Sequence, residues 1–178
     1  MNQMAIFRKI YIFVILFSIF FNVSSYSEVV KTVDVQGNDR ITPETIMIFG
    51  DIVIGENYEE SDIGLLIKKL YETSFFSNIS VELSNHKLTI VVEENPIVNS
   101  IIFKGIKLEK YKESIKELLL VRENTSYMSN LVQRDINLIK SFYRQLGFYF
   151  INIDVEVEKL EKNNLNIIYS IDRGEKAK

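Results

Sequence analysis

The chain has 178 residues, a formal net charge of −3, one histidine and no cysteine, and 47% of it is hydrophobic, with twelve Phe and nine Tyr. That length holds one medium domain or two small ones, and without thiols neither disulfides nor thiolate metal sites can hold them, so stability must come from apolar burial. A mildly acidic balance argues against a polyanionic nucleic-acid ligand.

Arg8 and Lys9 precede the apolar run Ile10–Phe21, and Asn22-Val23-Ser24-Ser25-Tyr26-Ser27 follows it. A basic start, about a dozen apolar residues and then small residues make an export signal, since the run is shorter than the roughly 20 residues that span a bilayer. Residues 1–27 are expected to be removed after Ser25 or Ser27, leaving a more acidic chain.

Glu28–Gln36, with Val33 and Val35 alternating, predicts a strand that turns at Gly37-Asn38-Asp39. Thr42-Pro43-Glu44 predicts a helix start, with a capping hydroxyl, a proline at the first helical position and an acid against the positive helix end. That helix should stop at Gly50, and Asp51–Glu60 should be a polar loop. From Ser61 onward, Ile63, Leu66, Ile67, Leu70 and Tyr71 fall on one face of a second helix. Gly64 within it costs about 1 kcal/mol relative to Ala, which suggests close packing on a sheet. An aromatic corner, Ser74-Phe75-Phe76, then leads into two alternating strands, Ile79, Val81, Leu83 and Leu88, Ile90, Val92, joined by the turn Ser84-Asn85-His86-Lys87.

Asn95-Pro96 is the expected boundary, because proline stops the strand and favours extended backbone before it. The pattern then recurs. Val98–Lys104 predicts a strand ending at Gly105, Lys110–Leu120 a helix through Tyr111, Ile115, Leu118 and Leu119, and Ser126–Leu146 a long helix with Ser129 as cap. Its stripe is Ile136, Ile139, Tyr143 and Leu146. A second corner, Gly147-Phe148-Tyr149, precedes the strand Ile151, Ile153, Val155, Val157, the turn Glu161–Asn164 and the strand Leu165, Ile167, Tyr169, Ile171. The expected fold class is α+β, with residues 28–95 and 96–174 as two tandem β-α-α-β-β domains. Each should be a small three-stranded mixed sheet with two helices on one face.

Several stretches together resemble two POTRA domains of the BamA family. They are Val33-Asp34-Val35-Gln36-Gly37-Asn38 with Arg40-Ile41, Ile67-Lys68-Lys69-Leu70-Tyr71 with Phe75-Phe76-Ser77-Asn78-Ile79, and Val92-Glu93-Glu94-Asn95-Pro96-Ile97-Val98. In the second unit they are Ile102-Phe103-Lys104-Gly105 and Tyr143 with Gly147-Phe148-Tyr149. The first corner departs from the family by having Ser74-Phe75 where a glycine is frequent. The resemblance implies an amino-terminal piece of an outer-membrane protein assembly factor, with residues 175–178 a linker cut short before a third repeat. It also implies residence on the periplasmic face of the outer membrane, membrane association only through a missing barrel, and no enzymatic activity. The implied partners are unfolded β-barrel proteins, assembly-complex lipoproteins and periplasmic chaperones. A two-partner secretion or translocation-type transporter, or a stand-alone envelope scaffold, are the alternative settings.

No catalytic, metal or cofactor constellation is present in the sequence. His86 reads as a solvated turn residue, and Glu59-Glu60 and Glu93-Glu94 as solvated faces without a calcium-loop pattern. The aromatic corners read as core. In POTRA domains, as the resemblance implies, the strand after the second helix lies at a sheet edge and accepts an extended client strand by β-augmentation. The candidate edge residues are thus Ile79, Val81 and Leu83 in the first unit and Ile151, Asn152, Ile153, Asp154 and Val155 in the second. Tyr143 and Leu146 are expected to line a helix groove beside the second edge.

Overall fold

The computed structural model describes residues 27–176, so the expected export signal lies, but for Ser27, outside the described residues. In chain order the elements are β1 Glu28–Val29, β2 Thr32–Gln36, α1 Pro43–Phe49, β3 Asn57–Tyr58, α2 Glu60–Glu72, β4 Phe76–Ser84, β5 Lys87–Glu94, β6 Ile97–Lys104, α3 Glu109–Leu118, α4 Ser129–Gln145, β7 Asn152–Leu160 and β8 Asn164–Asp172.

Two three-stranded mixed sheets result, ordered β2-β5-β4 and β6-β8-β7. In each, the first strand runs parallel to the last, which needs a crossover long enough to carry both helices, and the last two strands form an antiparallel hairpin. Period-2 alternation decides the faces. Leu88, Ile90 and Val92 of β5 are buried against Ile46, Leu66 and Leu70 of the helices, whereas Val91 faces outward. In the second sheet Leu165, Ile167, Tyr169 and Ile171 of β8 meet Ile115, Leu119, Ile139 and Tyr143. Each such side chain contributes roughly 1.5–3 kcal/mol on burial, and each half has its own cluster of them.

The two glycines that end the first strands do the same job. Gly37 (φ +79°) and Gly105 (φ +84°) turn the chain where an added Cβ would lie 2.2 Å from the Val92 carbonyl oxygen and 2.1 Å from that of Ile171. Only glycine fits a left-handed turn pressed so tightly on the central strand.

Some expectations shift. The Glu28–Gln36 strand is broken: β1 leaves the main sheet and pairs with β3, at Glu28↔Tyr58 and Val29↔Asn57, inside the stretch read as a polar loop. Two-residue strands carry too little alternation to be read, but Val30 beside them is fully buried. Thr42 caps α1 through Oγ1, which accepts from the Thr45 N–H at 3.3 Å. Ser129 does not cap the long helix: it is the first helical residue, after Met128. Gly64 does not pack on the sheet, because an added Cβ there would meet nothing within 4 Å.

Candidate functional site

Sheet edges are the places where backbone N–H and C=O groups are left to find partners. The strands β4 and β7, which hold the candidate edge residues, are both outermost in their sheets. In an antiparallel pair, alternate residues turn both backbone groups toward the partner and the rest turn them away. The β4–β5 turn is Asn85-His86, both at positive φ (53° and 63°). A two-residue turn of this kind closes on a hydrogen-bonded pair, here Ser84–Lys87. Counting back by twos, Glu82 and Ser80 bond to β5, while Leu83, Val81 and Ile79 face away. An independent contact agrees: the Ile79 N–H donates to Tyr71 Oη of α2 at 3.1 Å.

β7 occupies the same place in the second sheet, with Ile153 opposite Ile171 as Ile79 is opposite Val92. For L-residues, the face a side chain takes fixes the side to which its N–H points. The outward backbone groups of β7 therefore belong to Ile153, Val155 and Val157, whose side chains face the helices. Asn152, Asp154, Glu156 and Glu158 bond to β8. Ile151 is half-buried but precedes the strand, so it stands outside the ladder. Val157, the last of this register, is 36% exposed, because the start of α4 leaves a gap beside this end of β7.

The gap between them is a cleft of about 270 Å³ lined by Tyr127, Asn130, Val132, Val155 and Val157. It runs on past Leu160 into a groove of about 770 Å³ beside Glu94-Asn95-Pro96. The opposite edge of this sheet is covered from Ile97 to Ile101. Segment 123–126 lies along β6, with Val98 N–H donating to the Thr125 carbonyl (2.9 Å), Asn124 N–H to the Val98 carbonyl (2.7 Å) and Ile101 N–H to Glu123 Oε1 (3.2 Å).

Tyr143 does not line a groove: it is 1% exposed, set edge-on against Phe142 (5.5 Å), Phe148 (6.1 Å) and Tyr111 (6.4 Å). Leu146, half-buried, packs on the same core. Those aromatics fill the space at the end of α4, so the accessible cleft lies at its start. The corners divide. Phe75 packs on Phe49 (5.6 Å) and Phe76 is buried, whereas in the second unit Phe148 is buried under the Arg173 guanidinium (4.7 Å) and Phe150 is 83% exposed.

His86 is in the exposed turn, yet it also ties the hairpin to β1, with Nδ1 3.0 Å from the Val29 carbonyl and its N–H donating to Glu28. Glu94 corrects the reading of Glu93-Glu94 as a solvated face. It is 7% exposed, and its Oε1 accepts from the N–H groups of Asp39, Arg40 and Ile41 at 2.9–3.0 Å, with Arg40 Nη2 3.5 Å from Oε2. Sequence reasoning also missed Asp135. Fully buried, it accepts from Leu120 N–H (2.6 Å), Val121 N–H (3.1 Å) and Tyr169 O–H (3.3 Å). Burial first, and the neighbouring Asp135 second, push the Tyr169 phenol far above its ordinary range. Among the described residues no group of three or more His, Asp or Glu is placed to hold a metal ion.

Strand order, parallel first and last strands and paired helices on one face together define a POTRA-type fold. Residues 96–174 match the POTRA family model, described as "Surface antigen variable number repeat". The chain is 28% identical to the outer membrane protein assembly factor BamA of Neisseria meningitidis serogroup B, over 84% of this chain and 19% of that protein. It is 21% identical to the BamA of Neorickettsia risticii, over 80% of this chain and 19% of the relative. Its fold is that of the N-terminal domain of Omp85 from Thermosynechococcus elongatus, with a TM-score of 0.54 and 16% identity over 85% of this chain and 65% of that one. Residues 96–174 are thus a POTRA repeat, and the chain spans about a fifth (19%) of the length of the BamA relatives it is similar to.

Proposed function

We propose that this chain is a periplasmic, non-enzymatic POTRA module of a BamA-like machine that assembles and inserts outer-membrane β-barrel proteins. It receives unfolded clients and partner subunits by β-augmentation. The observation that carries this reading is the bare edge of β7. Its outward backbone groups at Ile153, Val155 and Val157 stand over a cleft, while the β6 edge of the same sheet is covered from Ile97 to Ile101. An extended segment laid beside β7 gains ladder hydrogen bonds and sends every second side chain toward Tyr127, Val132 and Val157.

Backbone pairing gives modest affinity and tolerates many client sequences. Each hydrogen bond contributes about 0.5–1.5 kcal/mol. The test is Val157→Pro, which removes one outward N–H at the least buried position of that register, with binding read on a synthetic peptide about ten residues long that alternates apolar and polar residues. Loss of one bond lowers affinity by about 2- to 13-fold, with the circular dichroism of the fold unchanged. Asp154→Pro is the contrast, because it breaks the ladder to β8 and should damage the fold itself. Unchanged peptide affinity in a folded Val157→Pro protein rules out capture at β7.

A further inference from the structure

We infer that the two edges are not equivalent: Tyr71 latches β4 shut against strand addition, and the second unit has no such latch. This inference rests on the strand-capture reading for β7, and it adds which edge is denied to the client and by what.

The Ile79 N–H is the first outward donor of β4, the group to which an added strand's carbonyl would bond. Tyr71 Oη already holds it at 3.1 Å. The tyrosine reaches it from the last turn of α2, which lies close along β4. Tyr71 was expected on the apolar stripe of this helix. Yet it is 42% exposed, while its neighbour Leu70 is fully buried. Its hydroxyl thus serves the strand edge rather than the core and occupies the Ile79 donor.

The repeat shows what stands there in the other unit. Ser74 (φ 61°) and Gly147 (φ 88°) make the same left-handed corner after the helix. Counting back from each, the buried Leu70 corresponds to the buried Tyr143, and Tyr71 corresponds to Arg144. A guanidinium carries five donors and no acceptor, so it cannot take an N–H. The donor equivalent to that of Ile79 is the N–H of Ile153, and no side-chain acceptor among the described residues reaches it. A client strand therefore meets an occupied first donor at β4 and a free one at β7.

The experiment uses the full chain, its Tyr71→Phe variant and the same alternating peptide, with amide hydrogen exchange read residue by residue. Without peptide, Tyr71→Phe should speed exchange at Ile79 at least tenfold while leaving Val92 of the central strand unchanged. With peptide, the parent should gain protection at Ile153, Val155 and Val157 only, and Tyr71→Phe should gain it at Ile79 and Val81 as well. Peptide protection of β4 in the parent, or no β4 protection in Tyr71→Phe while β7 binds, overturns the latch and leaves capture at β7 standing. Absence of protection at β7 in both proteins overturns the capture reading instead. Unaltered exchange at Ile79 in Tyr71→Phe overturns the latch whatever the peptide does.

Discussion

Replacing Asp135 by alanine removes the acceptor for three buried donors at once, and the structure sets the scale of the loss. A buried donor left without a partner costs about 1–3 kcal/mol. Val121 and Tyr169, 2% and 0% exposed, have no water to turn to, whereas Leu120 at 45% recovers most of its share from solvent. Two full penalties come to about 2–6 kcal/mol. Part is returned because an acidic group without a cationic partner is no longer held in the interior. A net loss of about 3 kcal/mol follows, which is a large part of the 5–15 kcal/mol that holds a typical domain. The bonds run from α4 to the segment just after α3 and to the central strand β8, so the loss falls on the contact between helices and sheet. Equilibrium urea unfolding reads it directly, as a fall of about 1–2 M in midpoint for an m-value near 2 kcal/mol/M. Asp135→Asn keeps one acceptor oxygen and should lose about half as much. An Asp135→Ala protein within 0.5 kcal/mol of the parent would mean that the loop or water satisfies these donors, and that the carboxylate does not organise the second core.

Gly64→Ala should stabilise the chain by about 0.5–1 kcal/mol, since the site is an exposed helix interior where the new methyl meets nothing; a loss of stability would restore the close packing that the sequence suggested. The raised phenol of Tyr169 sets an alkaline limit: its folded value lies above the ordinary 10.0, so the fold holds the neutral form, and that contribution is complete below pH 10 and lost as pH climbs beyond it. Stability followed by denaturant melts between pH 9 and 11.5 should fall by up to about 1.4 kcal/mol per pH unit for each such group. Tyr169→Phe should flatten that fall, leaving the share of Tyr143, which burial also raises; an equally steep decline in the variant would refute the assignment.

What could be read in the sequence is what depends on period and turn chemistry. Strands of eight or nine residues, an apolar stripe along each main helix, Thr42-Pro43 at a helix start and the glycines 37 and 105 each leave a pattern over neighbouring positions. The internal repeat doubled that signal. What escaped depends on distant backbone. Glu94 and Asp135 look like surface acids because their partners are N–H groups 53–55 and 14–15 residues away, and peptide groups carry no letter in a sequence. Tyr71 fits an apolar stripe by spacing, although its hydroxyl belongs to a strand edge. Tyr143 went the other way, because nothing local distinguishes an aromatic lining a groove from one that fills it. Ser74 shows that a residue other than glycine can make the left-handed corner, so the departure from the family pattern left the turn intact.

The outer face of β7 adds a constraint on what can pair there. Asp154, Glu156 and Glu158 alternate with the inward residues, and none of them makes an ion pair among the described residues, although Glu158 accepts from Asn166 Nδ2 at 2.8 Å. Successive members of this row are about 7 Å apart, the two-residue repeat of a strand. Two copies of β7 joined edge to edge would bring two such rows alongside each other, and like charges across neighbouring strands are destabilising. A strand with neutral or basic residues on that face meets no such penalty. The edge is therefore discouraged from pairing with itself by charge on one face, yet its backbone groups and the cleft on the other face remain open. An edge covered by a loop, as β6 is, would be safe from aggregation but useless for capture. Charge on the outer face achieves the first without giving up the second, because it acts on the partner's side chains and leaves the ladder of N–H and C=O groups untouched.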